Sequence, residues 1–163
     1  MLLGILLHAA AGERIPCSFD HPIMLVELRD AMEKGCYLAP GTVLSMSVED
    51  VAGKQVLGFT SGTSNLSEAS LASIDLMVQI MKSKPSLNVT VVGHADLSEM
   101  GDLQKISEER AKTAIDIMVI GGIDPSRLSY VGKGATQPVD TSRTRAGAAA
   151  NRRVEFVLTQ PVK

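Results

Sequence analysis

The spacing of hydrophobic residues predicts two amphipathic helices in the C-terminal two thirds of the chain. In the first, apolar residues recur every three or four positions after a candidate N-cap at Asn65, and Pro85 ends the pattern. In the second, Ser107 can cap a helix that ends at Gly121, which would place Arg110 in its first turn. The two apolar faces comprise Leu71, Ile74, Val78 and Met81 in the first helix and Ala111, Ala114, Ile115, Met118 and Val119 in the second.

Four short segments have the alternating or continuously apolar pattern of β-strands. They are residues 55–59, 87–92, 128–131 and 153–159. A further apolar stretch, 43–48, lies in a turn-rich region and predicts one strand or hairpin there. The C-terminal elements therefore run strand, helix, strand, helix, strand, loop, strand. This order favours an α+β or α/β sandwich in which two helices pack on one face of a mixed sheet, and we expect the α+β arrangement with four strands.

The chain has 163 residues, enough for one domain and a short extension. We expect an N-terminal lead-in over residues 1–54 and one folded domain over residues 55–160. Residues 1–11 join an apolar run to three alanines, which is typical of a signal peptide's cleavage region, but they lack its basic start. They can be a truncated signal, the product of a misassigned start, or a buried element. Cys17 and Cys36 could form one disulfide or remain two buried thiols.

Composition narrows the classes of partner and ligand. The formal net charge is -2 and the basic residues form no long tract, so nucleic acid is not expected as a partner. Tryptophan is absent and aromatic residues are 3% of the chain, which leaves few surfaces for stacking. Recognition should therefore be polar or ionic. The two cysteines lie outside the usual zinc spacings, and no metal or cofactor is expected.

Five motifs follow one another in a fixed order between Val56 and Leu158. They are a Phe-x-Ser loop with a helix start (Phe59, Ser61, Leu66, Ala69), GHAD at Gly93 to Asp96, ISEERA at Ile106 to Ala111, YVGKGATQPV at Tyr130 to Val139, and NRRVE at Asn151 to Glu155. In this order they resemble the OmpA C-terminal domain family, which includes the peptidoglycan-associated lipoproteins and the flagellar stator protein MotB. The resemblance implies the α+β sandwich of that family, OmpA-like, in agreement with the predicted elements.

The resemblance also implies non-covalent binding of the peptidoglycan stem peptide through meso-diaminopimelate, held by Asp96 and Arg110. The far end of diaminopimelate carries an ammonium beside a carboxylate, so its complement is one anion beside one cation. We expect Asp96 to take the ammonium. Arg110 should take the carboxylate, helped by free N–H groups at the start of its helix. The other residues expected to line the ligand site are Phe59, Ser61, Ala95 and Leu103.

The sequence departs from the family where the ligand should bind. Leu103 stands where the family usually has Asn, unless Asp102 or Gln104 takes over that role. Ala95 replaces the usual Thr, and the loop after GHAD is one residue shorter than is common. The Gly-Arg pair before NRRVE is also altered to Gly-Ala. These changes predict binding that is weakened or retuned.

Some candidate residues also have a structural interpretation. Asp96 could cap the next turn, and Arg110 could pair with a nearby acid. Although His94 and Asp96 could serve as acid and base in a wall hydrolase, neither a nucleophile nor a third metal ligand accompanies them. We therefore expect no enzymatic activity. The residues assigned to the structural part of the motifs are Gly93, His94, Asn151 and Arg152.

The expected function is that of a periplasmic module that anchors an outer-membrane or other envelope component to the cell wall. Its partner would be the diaminopimelate-containing stem of peptidoglycan. The alternative is a protein-interaction or assembly module that keeps the OmpA-like fold but has lost wall binding. In that case the partner would be an envelope protein or a second copy of the chain.

Overall fold

The computed structural model describes residues 15–19, 23–47, 59–66 and 68–162. The predicted signal-like segment at 1–11 lies outside these ranges. None of the helices within them has the length and hydropathy needed to cross a membrane. The elements are α1 (Leu25–Glu33), β1 (Val43–Ser47), α2 (Glu68–Ser83), β2 (Asn88–Gly93), α3 (Leu103–Ile120), a 3-10 turn (Pro125–Arg127), β3 (Leu128–Gly132), α4 (Arg145–Asn151) and β4 (Val154–Thr159).

The strands of the described residues form one mixed sheet in the order β1-β4-β2-β3. β4 runs antiparallel to both of its neighbours, β1 and β2, whereas β2 and β3 are parallel. A parallel pair needs a long crossover connection, and α3 supplies it. The predicted α+β class and mixed four-stranded sheet are confirmed.

The first strand of the sheet lies in the segment that we assigned to the lead-in. The strand or hairpin predicted at 43–48 is present as β1, which pairs along its length with β4. The strand predicted at 55–59 lies outside the described residues except for Phe59. That residue forms an isolated antiparallel bridge with Leu66 instead of joining the sheet.

α2 and α3 bury their apolar faces in one core with the sheet, largely as predicted. Two residues assigned to these faces are exposed, Leu71 at 42% and Val119 at 37%. Both predictions were wrong because a helix turns by about 100° per residue, and these side chains lie at the edge of their apolar stripes. The buried hydrophobic residues of the two helices are Ile74, Met77, Val78, Ile80 and Met81 in α2 and Ala111, Ala114 and Met118 in α3.

α3 begins four residues earlier than its predicted cap. Asp102 is the N-cap, and its side chain accepts a 3.1 Å hydrogen bond from the backbone N–H three residues later. Ser107 is buried inside the helix, where its hydroxyl accepts a hydrogen bond from the Gly134 N–H at 2.9 Å. Arg110 therefore lies in the third turn, not the first. The free N–H groups of the helix start cannot assist a ligand at that position.

Two glycines allow α3 to lie directly against the ends of β2 and β3. Gly93 and Gly132 are opposite each other in the parallel pair. A Cβ atom at Gly93 would lie 1.9 Å from the Ser107 carbonyl oxygen, and one at Gly132 would lie 2.5 Å from the Ser107 hydroxyl. Any larger residue would push the helix away from the sheet. The two glycines thus set how closely α3 approaches the strand ends, and with it the position of Arg110.

α1 packs on α2, and a disulfide joins the segment before α1 to the segment that follows it. Cys17 and Cys36 are bonded, with their Cα atoms 5.0 Å apart. Leu25, Leu28 and Ala31 bury the inner face of α1. Of the two alternatives left open by the sequence, the disulfide is the one that forms.

Candidate functional site

A cleft of about 660 Å³ lies beside the turn that follows β2. The turn forms one wall, and α4 with the loop before it forms another. The cleft therefore lies where two of the recognised motifs, GHAD and NRRVE, come together in space. Its charged and amide residues are Asp96, Asp140, Arg143, Arg145, Asn151 and Arg152.

Asp96 is held firmly in the wall of this cleft, with only 8% of its surface exposed. One carboxylate oxygen accepts hydrogen bonds from the Ser98 N–H at 2.8 Å and the Ser98 hydroxyl at 2.5 Å. The other accepts from the Asn151 amide at 2.8 Å. Burial alone would raise the pKa of Asp96, but these hydrogen bonds, with the nearby charge of Arg152, lower it below its usual value. Asp96 is therefore an anion at neutral pH.

Asn151 joins Asp96 to the opposite wall. Its amide nitrogen donates to Asp96 and, at 2.8 Å, to the Asp140 carbonyl oxygen. Its amide oxygen accepts from the N–H groups of Val139 at 2.9 Å and Asp140 at 3.0 Å. Both ends of the amide are satisfied, so its orientation is fixed by donor and acceptor chemistry. Asn151 thereby holds the Asp96 carboxylate at a fixed point of the cleft.

Arg110 does not face the cleft, because its side chain is 0% exposed and already fully bonded. Nη1 donates to Glu99 Oε2 at 2.7 Å, and Nη2 donates to Glu99 Oε1 at 2.5 Å. The carbonyl oxygens of three residues take the remaining N–H groups. These acceptors are Thr63 at 3.0 Å, His94 at 3.2 Å and Thr60 at 3.3 Å. A guanidinium has five N–H donors, and this set uses all of them within the described structure.

Glu99 is the residue that the sequence reasoning missed. Its carboxylate accepts two hydrogen bonds from Arg110, one from the Gly62 N–H at 2.8 Å and one from the Asp96 N–H at 2.9 Å. Burial alone would raise the pKa of Glu99, but the Arg110 bonds and the two backbone N–H groups lower it. The signal in the sequence was the unusual loop after GHAD, which carries an acid three residues beyond Asp96.

The remaining predicted site residues are scattered around this arrangement. Ala95 lines the cleft. Among the residues that the structure describes, Phe59, Ser61 and Leu103 lie outside the cleft lining. The Phe59 ring instead lies against the Arg110 guanidinium, with 5.0 Å from the guanidinium carbon to the ring centroid. Leu103 is the first residue of α3.

Neither neighbour of Leu103 lines the cleft. Asp102 caps α3. The Gln104 amide donates to the Gly132 carbonyl oxygen and to the Glu108 carboxylate, both at 2.8 Å. Both side chains therefore support the helix start and the end of β3.

His94 is buried beside an acid and an arginine at the start of β4. Its Nε2 lies 3.4 Å from the Glu155 carboxylate, which also pairs with Arg153 at 2.8 Å. The His94 imidazole and the Arg153 guanidinium together outweigh burial and lower the pKa of Glu155 to about 2. Within the described ranges, no three His, Cys, Asp or Glu side chains are grouped closely enough to hold a metal ion.

Three arginines complete the charge pattern of the cleft. Arg152 donates from Nε to the Phe59 carbonyl oxygen at 2.8 Å, so part of its guanidinium is committed to the fold. Arg143 and Arg145 are exposed at the start of α4. Arg143 has φ 56°, a left-handed conformation that is uncommon for a residue other than glycine. The cleft thus sets a fixed anion, Asp96, beside three arginines and a second acid, Asp140.

Comparison with known proteins agrees with this architecture. The OmpA family model matches residues 58–152. Outer membrane porin F of Pseudomonas aeruginosa is 38% identical over 107 residues, which are 64% of the chain and 31% of the porin. The peptidoglycan-associated lipoprotein of Legionella pneumophila is 29% identical over 106 residues, which are 63% of the chain and 59% of the lipoprotein. The chain spans less than two thirds of either relative.

A solved structure supports the same assignment at the level of the fold. The periplasmic domain of Helicobacter pylori MotB matches with a TM-score of 0.60 and 17% sequence identity, over 76% of both chains. The family model covers more than half of the chain. The comparisons therefore agree with the mixed sheet and the helices that pack on it. The chain belongs to the OmpA family.

Proposed function

We propose that this chain binds the peptidoglycan stem peptide non-covalently through meso-diaminopimelate and so anchors an outer-membrane or other envelope component to the cell wall. The observation that carries the proposal is the ionised Asp96 carboxylate, fixed in the wall of a cleft. Membership of the OmpA family supports it, as does a relative named for its association with peptidoglycan. The proposal places the module in the periplasm and gives it no enzymatic activity.

The ammonium of diaminopimelate is the group that Asp96 suits. A carboxylate offers about four acceptor positions, and the bonds from Ser98 and Asn151 use three of them. One position therefore remains for a ligand donor on a group whose orientation is already fixed. An ammonium placed there forms a charge-assisted hydrogen bond.

The arginines of the cleft favour the carboxylates of the same stem. Arg143 and Arg145 lie on the α4 side of the cleft, and Arg152 lies near Asp96. A stem peptide carries both charge signs, so a cleft with one buried anion and a rim that carries exposed arginines and Asp140 is complementary to it. We expect a dissociation constant roughly between micromolar and millimolar for one stem, because the site is small and partly hydrated. The many stems of the polymer would raise the effective affinity.

Titration of the purified chain with a diaminopimelate-containing muropeptide, followed by NMR chemical shifts, tests the proposal. Asp96→Asn keeps the shape of the side chain but removes its charge, and should weaken binding about tenfold to hundredfold. Asp116→Asn is the matched control, because Asp116 is an exposed acid on α3 that pairs only with Lys112 among the described residues. Absence of saturable binding by the wild type at millimolar ligand would overturn the proposal.

One observation favours a second candidate, the assembly module that has lost wall binding. Arg110, which the family resemblance assigns to the ligand carboxylate, is fully bonded to Glu99 and to backbone carbonyls. The partner would then be an envelope protein or a second copy of the chain. Failure of the muropeptide titration together with self-association at micromolar concentration, measured by sedimentation, would favour this candidate.

A further inference from the structure

We infer that Glu99 determines the specificity of the proposed stem site. Its carboxylate occupies Arg110 in place of the second carboxylate of diaminopimelate, so the site selects the ammonium end of the stem's diamino acid. It should therefore accept stems in which that carboxylate is amidated or absent. This inference rests on the proposed function and deepens it.

The first support is that both members of the ion pair are saturated. The five N–H groups of Arg110 have five acceptors. The Glu99 carboxylate has four donors, the two from Arg110 and the backbone N–H groups of Gly62 and Asp96. Four bonds fill the acceptor positions of a carboxylate. The pair is therefore closed to a third partner unless one of its bonds breaks.

The second support is the burial of the pair. Both side chains are 0% exposed. A ligand carboxylate that displaced Glu99 would leave a buried anion without its cation, which proteins tolerate poorly. Glu99 also competes from within the same chain, at a high effective concentration. An incoming carboxylate gains nothing at Arg110 that Glu99 does not already supply.

The third support is that the ammonium side of the site is independent of Arg110. Asp96 receives its side-chain hydrogen bonds from Ser98 and Asn151. The Glu99 contact reaches only the Asp96 backbone, through its N–H at 2.9 Å. Occupation of Arg110 thus removes the expected carboxylate contact while the anion for the ammonium stays in the cleft wall.

The test compares three muropeptides that differ only at the diamino acid: diaminopimelate, its amidated form and lysine. Wild-type protein should bind all three within about threefold, because none gains a contact with Arg110. Glu99→Ala frees Arg110 beside the turn that lines the cleft, and should bind the free-carboxylate stem at least about tenfold tighter than the lysine stem. Glu109→Ala is the control, because it removes an exposed acid elsewhere on α3. It should bind the three muropeptides with similar affinities, as the wild type does.

The outcomes separate this inference from the proposed function. Wild-type preference for free diaminopimelate of about tenfold or more would overturn the role of Glu99 and leave stem binding intact. Absence of binding of every stem by the wild type and by Glu99→Ala would overturn both. Saturable binding of the lysine stem by Glu99→Ala shows that the variant is folded. If Glu99→Ala does not fold, Glu99→Gln should show the same change in preference with a smaller magnitude, and its absence there would contradict the inference.

Discussion

The Glu99–Arg110 ion pair should be one of the main stabilising contacts around the cleft. Arg110 extends from α3 and bonds to the backbone of the turn at 60–63 and to the His94 carbonyl oxygen. Glu99 adds the N–H groups of Gly62 and of the turn after β2. Three segments that are distant in sequence are therefore held by one buried pair. Removal of either partner alone should loosen all three.

The magnitude follows from the burial of both charges. Removing one partner of a buried pair usually costs about 3–5 kcal/mol, because the other charge stays desolvated without compensation. We expect this cost for Arg110→Met, which also leaves three carbonyl groups without a donor, and a cost near the lower limit for Glu99→Gln. The double variant leaves no uncompensated charge. Its cost should be about 2–3 kcal/mol less than the sum of the two single costs.

Urea unfolding monitored by far-UV circular dichroism measures these free energies, since the chain contains no tryptophan for fluorescence. Asp116→Asn, which breaks the exposed Lys112–Asp116 pair on the same helix, is the control and should cost less than about 0.5 kcal/mol. Single-variant costs below about 1 kcal/mol would refute the reasoning. Strict additivity in the double variant would refute it equally, since it would mean that the two charges do not depend on each other.

Three further predictions follow from the fold. Gly93→Ala should destabilise the protein by about 1–3 kcal/mol in urea unfolding, because the new methyl group meets the Ser107 carbonyl. An unchanged unfolding midpoint would contradict the close packing of α3 on β2. Glu155 has a pKa lowered from 4.5 to about 2, so it contributes stability that is lost as the pH falls through this window. Glu155→Gln should therefore flatten the loss of stability between these pH values, and an unchanged acid titration would count against the cluster. The paired change of Cys17 and Cys36 to Ser removes a bridge across 19 positions and should cost about 3 kcal/mol; thermal melts equal to those of the oxidised wild type would exclude a stabilising bridge.

The main elements could be predicted because their signals are local. Alternating side chains identify β4, and three- or four-residue spacing identifies the core halves of α2 and α3. The start of α3 could not be placed by the same pattern. Its first turns pack Ser107 against two glycines, so the apolar stripe begins only at Ala111. α4 was not predicted for a related reason: its small residues show no periodic apolar pattern.

In the candidate site, too, one part could be predicted from the sequence and another could not. The position of Asp96 at the end of the sheet could be predicted from its motif, because the turn after a central strand has a defined place there. The partner of Arg110 depends on the path of the chain from 96 to 102, which brings Glu99 under the guanidinium. A contact of this kind leaves no periodic pattern in the sequence. The shorter loop was visible in the sequence, but its consequence needed three-dimensional distances.

The Glu99 contact changes what the site as a whole can recognise. In the expected arrangement, an anion and a cation would both stay open, and the ligand would supply the two opposite charges. In the observed arrangement, the protein supplies its own anion to Arg110, while Asn151 and Ser98 orient Asp96. In the proposed stem site, specificity would then depend on one fixed carboxylate and on the exposed arginines of the α4 wall. Affinity should respond more to the ammonium of a ligand than to the carboxylate beside it, because Asp96 keeps one open acceptor position whereas Arg110 has no free donor.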